Sequence, residues 1–399
     1  MAASDLTSVA FITKRVYSDK RQGDLAMRDH PFMRMINKEG GFNGVAHFYT
    51  VKYGNPAAIG GTFGTAQSAA ASSKGVQFQV SRKVKYGFIT LNGEAIAATE
   101  GNQGAFYDLV TLETDGVLEE MGDRLAFDLY RDGTGLRGRR ASASTNVITL
   151  TSQDDARNFK VGMTVIAATA ASGTSGVRTG NTTVAGVDED TGTVTLTSAA
   201  GITSFADNDY LFAIGDPGTC MEGLEVCNPL TAPTGGDSFR GVDRSVDTRR
   251  LAGVRLDNTA SSIEENAGLV AVRIAQVGKK ADQVFLNPIR FWEVARRLGA
   301  KVEYDGGGGN ADYGFESISI HSPAGTLKAY SDPDCPINRG RVVASKAHYV
   351  KHLKGFPHII MDDGNKSLRA TSADDIEMRI RAFSNYIQID PGAFGVFSI

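Results

Sequence analysis

The sequence predicts an α+β chain assembled from consecutive pieces, and three observations predict it. Apolar residues at helical spacing (Phe106, Leu109, Val110, Val117, Leu118, Met121, Leu125 and Leu129) mark one long helix over Gly104–Arg131. Period-two alternation marks strands on both sides of it. Val76, Phe78 and Val80 alternate with Gln77, Gln79 and Ser81, and Ile376, Met378 and Ile380 alternate with Glu377, Arg379 and Arg381. Between them, Ala141–Asp216 is rich in Thr, Ser, Ala, Gly and Val and repeats itself: Ile148–Ser152 matches Val194–Ser198, and Phe159 with Val165–Ala167 matches Phe205 with Leu211–Ala213. All matches share an offset of 46 residues, so two β units that close on each other as a small sandwich or barrel are expected.

The composition narrows the function. A length of 399 residues allows two or three domains, and 41% hydrophobic with 22% charged residues is an ordinary globular balance. A formal net charge of -3 argues against a protein whose main task is to neutralise nucleic-acid phosphates. The three cysteines, Cys220, Cys227 and Cys335, are too few for a disulfide framework and read as free thiols of a reducing cytoplasm. No run is long and apolar enough to span a membrane, and the opening stretch lacks the apolar segment of a signal peptide, so folding in the cytoplasm is expected.

Taken in order, Met1–Arg21 reads as an extended arm and Leu25–Ile36 as a short helix ended by Gly40 and Gly41. Val45–Tyr53 and Gly75–Asn92 read as the two strands of one long hairpin whose tip, Gly54–Ser73, is made of small residues and carries no charge. An isolated two-stranded ribbon is marginal in water, so this element is expected to be held from outside its own domain. Gly104–Arg131, about 40 Å long at 1.5 Å per residue, is stopped by Asp132–Gly135. After the β module, Ser261 with Glu264 approximates a capping box for a helix running to about Gly278, with Ile263, Val270, Ile274 and Val277 inward. Val284–Leu286 is a short buried strand; Asn287 then caps a helix with Pro288 at its first position and Gly299 at its end. Ser317–Ile320, Leu327–Tyr330, Arg341–Ser345 and Ile376–Arg381 read as strands, and the slip in alternation near Phe383–Ser384 predicts a bulge.

Catalytic chemistry is missing. The four glycines Gly306–Gly309 are followed by neither Lys nor Ser/Thr and are flanked by Asp305 and Asp312, which repel anions; they read as a mobile connection, not a phosphate cradle. His348 and His352 have the i, i+4 spacing of a zinc pair, with His358 close by. No Glu lies between them, and the segment reads as strand and turn, so no metal is expected. Asp332, Asp334, Asp362 and Asp363 read as turn acids, not calcium ligands. Trp292 reads as core. There is no nucleophile elbow. No cofactor and no enzymatic activity are expected.

The order of these parts resembles the major capsid proteins of tailed bacteriophages, the HK-97-like fold family. The resemblance rests on Asp29–Met33 and Gly40–Gly44 leading into the hairpin, Tyr53–Pro56 and Phe63–Ala66 along it, and Gly104–Phe106 and Asp132–Gly135 at the ends of the long helix. Val284–Pro288, Ser331–Cys335 and Ile389–Val396 add to it. It implies an N-terminal arm (1–44), an extended loop (45–92), a peripheral domain with a spine helix (93–140), an inserted all-β domain (141–216), an axial domain with connections (217–375) and a C-terminal strand returning to the peripheral domain (376–399). It further implies self-assembly into the hexamers and pentamers of an icosahedral head, formed in the host cytoplasm and enclosing double-stranded DNA without sequence specificity. The implied partners are a separate scaffolding protein, a portal protein and a decoration protein. The inter-subunit contacts expected are Phe48, Tyr53, Phe63, Phe78 and Val80. Lysine is absent from the tip, so a Lys–Asn cross-link from it is not expected. An encapsulin-like protein compartment is the alternative within the fold, and a phage decoration or adhesion protein is the alternative outside it.

Overall fold

The computed structural model describes residues 30–92, 103–199, 203–298, 317–360, 368–369 and 375–399. The predicted arm before residue 30, the glycine run Gly306–Gly309 and the turn acids Asp362 and Asp363 lie outside the described residues. The chain divides into two units: residues 1–127 with 228–399, and residues 128–227.

The first unit opens with a five-residue helix, α1 (Pro31–Met35), and a short strand, β1 (Asn37–Glu39). Then come β2 (Ala46–Gly54), a one-turn helix α2 (Phe63–Ser68), β3 (Lys74–Ser81), β4 (Lys83–Asn92) and the long helix α3 (Gln103–Tyr130). The stretch read as one second hairpin strand is therefore two strands in different sheets. β2 pairs with β3 alone, while β4 joins the C-terminal strand. The reason lies in which faces are covered. β3 buries its even positions, Phe78 and Val80, whereas β4 buries its odd positions, Ile89 and Leu91. Because side chains alternate with period two, one continuous strand cannot put both sets on the same face. At Gly87 an added Cβ would lie 2.9 Å from Val117 Cγ1 and 3.1 Å from Met121 Cε, so the missing side chain lets α3 approach β4.

The second unit is a closed barrel. Its strands are β5 (Leu136–Ser144), β6 (Val147–Leu150), β7 (Thr164–Ala168), β8 (Thr182–Asp188), β9 (Thr193–Leu196) and β10 (Tyr210–Ala213), in the order β10-β5-β6-β9-β8-β7. The 46-residue repeat is visible in the register. Ile148 faces Val194 and Ile166 faces Phe212, each residue opposite its own equivalent, as a two-fold relation between the halves requires. Ile148, Leu150, Phe159, Val165, Val194, Leu196, Phe205 and Leu211 fill one core. The ends are joined by a buried pair, Arg137 Nη2 to Asp216 Oδ2 at 3.0 Å, and Arg137 Nη1 also donates to the Asn158 carbonyl at 2.9 Å. The barrel begins at Leu136, five residues ahead of the Thr-rich stretch, because β5 includes the charged run Arg137–Arg140.

The chain then returns to the first unit through β11 (Ser238–Phe239), β12 (Val242–Asp243) and β13 (Val254–Leu256). Helix α4 (Ile263–Gln276), strand β14 (Gln283–Leu286) and helix α5 (Pro288–Leu298) follow. The last strands are β15 (Ser317–Ser322), β16 (Gly325–Ser331), β17 (Arg339–Val343), β18 (His348–His352), β19 (His358–Ile359), β20 (Leu368–Arg369), β21 (Asp375–Gln388) and β22 (Gly395–Ser398). The capping box of α4 sits one residue later than expected, at Ser262 with Glu265. Asn287 caps α5 as expected, its Oδ1 accepting from the Ile289 amide at 3.1 Å. One mixed sheet runs β13-β22-β17-β14-β16-β15, and Val270, Ile274, Phe291 and Val294 of the two helices pack on it. The other sheet centres on β21, which pairs with β4 along one edge and with β18, β19 and β20 along the other, while β1 adds in parallel to β18.

No bulge interrupts β21, whose register with β4 is continuous through Ser384. Alternation stops there because both faces become covered. Asn385 Nδ2 donates to the Ser81 carbonyl at 2.9 Å, and Ile387 packs with Phe42, Val80 and Tyr349. On the opposite face Tyr386 meets Phe32 and His348. Phe32 of α1 also meets Phe285 of β14 edge-on at 4.9 Å, so the arm helix is wedged between the two sheets.

Candidate inter-subunit surface

The β2–β3 ribbon has two unlike faces. Cross-strand partners share a face, so Tyr49 with Phe78, Val51 with Val76 and His47 with Val80 form one side. That side is covered. Phe78 stacks on Tyr49 at 5.2 Å, meets Phe239 at 6.4 Å, and packs with Val51, Val242 and Leu251; Val80 packs with Phe42, Tyr349 and Ile387. Phe78 is 1% exposed and Val80 0%, so both belong to the chain's own core. The expectation that they contact a neighbour is corrected: the turn Phe239–Val242 and the segment around Leu251 provide the cover that a bare ribbon lacks. Tyr53 is half-buried on the same side.

The remaining two expected contacts point outward. Phe48, on the opposite face with Thr50 and Lys52, is 51% exposed, and Phe63, in the first turn of α2, is 83% exposed. Ile59 beside it is exposed as well. Thr62 caps α2 by accepting from the Thr65 amide at 3.2 Å, and this gives the uncharged tip a defined local shape. Sequence reading missed a second apolar surface. On β4 the side chains of Val84, Tyr86 and Phe88 lie opposite the face that α3 covers; Tyr86 is 67% and Phe88 55% exposed. They share this face with Phe383, Arg381 and Arg379 of β21, Arg381 lying 5.3 Å over the Phe383 ring. The apolar parity of positions 84, 86 and 88 was the available signal, and it was absorbed into the long-hairpin reading.

The other singled-out residues have separate local partners. His348 is buried against Phe32, Tyr386 and Phe394 with Nδ1 3.1 Å from the Tyr386 hydroxyl, and burial pushes its pKa down to about 4. His352 lies 3.0 Å from the Lys354 carbonyl, and His358 Nε2 accepts from Arg381 Nε at 3.0 Å. Asp332 accepts the Phe32 amide at 2.8 Å and Asp334 lies 2.6 Å from His30. Among the described residues no cluster of three His, Cys, Asp or Glu side chains is placed to hold a metal. The three cysteines are free and buried. Trp292 is not core: it is 59% exposed, with Arg296 4.9 Å from its ring. Among the described residues no helix is long and apolar enough to cross a membrane.

No family model matches the chain, and no curated protein matches it. Among solved structures, the capsid asymmetric unit of cyanophage A-1(L) is similar over 92% of both chains, at 10% identity and a TM-score of 0.56. The chain has the HK-97-like capsid fold. The capsid of a native GTA particle (7% identity, 96% of this chain and 91% of that one, TM-score 0.48) is a weaker likeness on which nothing is built. The same holds for the holo-SrpI encapsulin complex of Synechococcus elongatus (7%, 100% and 96%, TM-score 0.44).

Proposed function

We propose that this chain is a major capsid protein: a structural subunit that assembles into the hexamers and pentamers of an icosahedral phage head around double-stranded DNA. The observation that carries the reading is the whole-chain likeness to the cyanophage capsid subunit, over 92% of each chain. The surface supports it. A head-to-tail contact joins two different patches of one subunit and closes into rings when the rotation allows. This chain exposes two such patches, the uncharged tip with Ile59 and Phe63 and the β4 face with Tyr86 and Phe88. In this reading the tip of one copy seats on the β4 face of the next, with Phe48 alongside. Tyr53, half-buried, supports the base of the tip. The domain roles follow the order of the parts: arm, extended loop, peripheral domain, inserted barrel, axial domain and returning strand. A scaffolding protein, a portal and a decoration protein are the expected partners, in the virion and in the host cytoplasm where it assembles. A net charge of -3 suits a container that does not grip its DNA.

Electron microscopy of the full chain, purified after co-expression with the neighbouring genes of its source, tests this. Closed shells of uniform size are expected, and the double variant Phe63→Ser/Tyr86→Ser should yield soluble subunits without shells. A population that stays monomeric with all partners present overturns the reading. Shells that enclose protein instead of DNA replace it with a compartment.

A further inference from the structure

We propose that Asn43–Gly44 is a self-modification site, where the chain converts Asn43 into aspartate and isoaspartate without an enzyme or a cofactor. An asparagine followed by glycine cyclises when the main-chain nitrogen of the glycine attacks the side-chain amide carbon, an approach that no Cβ on the glycine obstructs. The new bond joins Gly44 N to Asn43 Cγ. The Cγ–Nδ2 bond breaks, and Nδ2 leaves as ammonia with the proton that the Gly44 nitrogen gives up. Water then opens the five-membered imide. Opening at Cγ gives aspartate. Opening at the main-chain carbonyl gives isoaspartate, in which the main chain runs through Cγ and is one methylene longer. Water is the only other reactant, and nothing is oxidised or reduced.

The sequence contains two such pairs, Asn43–Gly44 and Asn92–Gly93, and the structure separates them. Asn92 is the last residue of β4 and is held in register opposite Asp375 of β21. Asn43, Gly44 and Val45 form the exposed connection that leads into β2. Among the described residues, neither the Asn43 side-chain amide nor the Gly44 N–H has a hydrogen-bond partner. Gly44 has a φ of 76°, and a Cβ added there would meet nothing within 4 Å. Both reacting groups are therefore unengaged and have room to meet. The residue before them is fixed. Phe42 is buried, its N–H donates to the His352 carbonyl at 3.1 Å, and its own carbonyl accepts from Arg82 Nη1 at 3.1 Å. Among the described residues Arg82 has no carboxylate partner. The reaction thus places a new carboxylate directly after the carbonyl that Arg82 holds, where the arm passes into the hairpin. This inference does not depend on the shell reading.

Incubation of the full chain at mildly alkaline pH, followed by digestion and mass spectrometry of the peptides that contain Asn43 and Asn92, tests it. A parallel sample unfolded in urea gives the rate each pair has without structure. In urea the two sites should convert at similar rates, because both precede glycine. In the folded chain Asn43 should convert at least roughly tenfold faster than Asn92, which has to leave the ladder first, a factor that one lost hydrogen bond accounts for. Labelling by an isoaspartyl methyltransferase should mark the Asn43 peptide. Asn43→Gln should abolish that label, since its longer side chain has to close a six-membered ring. Because residue 43 is exposed, the variant should fold as the parent does. An Asn43 that stays intact in the folded chain while it converts in urea overturns the proposal. So does an Asn92 that keeps pace with it in the folded chain.

Discussion

The barrel and the hairpin are both built from short antiparallel strands, yet they solve the problem of burial in opposite ways. The barrel closes its six strands on one another, so no edge is left open, and its core residues all lie between Ile148 and Ala213. The hairpin has two strands and no interior of its own. Phe78 and Val80 are covered by Val242, Leu251, Tyr349 and Ile387, far away in the chain. Closure makes a module that depends on its own sequence, whereas an open ribbon depends on whatever the rest of the fold lays against it.

The sharpest way to break this comparison is at Phe78. Phe78→Asp removes a ring stacked on Tyr49 and leaves an unpaired charge in a closed apolar cluster. It should destabilise the isolated chain by about 4 kcal/mol or more, read as a fall in the urea midpoint. Near-normal unfolding of that variant would show that the hairpin is held by neighbouring copies and not by its own chain.

Leu196→Ala tests the other side. A truncation inside the barrel should cost about 3 kcal/mol. If the barrel stands alone, exchange should quicken in β6 and β9 and stay unchanged in β2 and β3. The Arg137–Asp216 pair puts the ends of the barrel side by side, so replacing residues 136–216 by a short Gly/Ser linker should leave the helical circular dichroism of the remainder intact. Loss of that signal would show that the barrel completes the main core.

Acid should separate the two regions without mutation. Burial holds His348 at about 4, below the ordinary histidine value of 6.5. As pH falls from about 6.5 to 4, the unfolded chain takes up a proton that the folded chain refuses, so stability falls with pH across that window. The loss expected by pH 4.5 is on the order of 2 kcal/mol. His348 lies on β18, whose Tyr349 helps to floor the hairpin, while the barrel sequence contains no histidine. The hairpin amides should therefore lose protection on acidification before the barrel amides, and His348→Phe should remove most of that difference between pH 7 and pH 4.5. An unchanged pH dependence in the variant would assign the acid sensitivity elsewhere.

The smallest effect is expected at Phe63. Because its side chain is exposed, Phe63→Ser should change the stability of the isolated chain by less than about 0.5 kcal/mol, in contrast to Phe78→Asp on the same hairpin. A larger loss would place the tip against its own chain.

The sequence by itself determined what depends on neighbours along the chain. The period of Phe106 to Leu129 marked α3, Asn287–Pro288 marked the start of α5, and the repeat at Ile148 and Val194 marked a β module whose halves face each other. A helix stripe, a cap and a closed barrel are all decided within a few tens of residues. Only the tertiary structure decided which apolar face would be covered. The even positions 76, 78, 80, 84, 86 and 88 look alike in sequence, but the first three meet core and the last three meet solvent, because the chain changes sheets at Arg82 and α3 takes the odd face of β4. For the same reason Trp292 lies outside the core, Phe383–Ser384 is a change of cover and not a bulge, and His30 meets two aspartates far from it in sequence. Alternation tells that a strand has two faces; what lies against each face is set by residues that no local pattern contains.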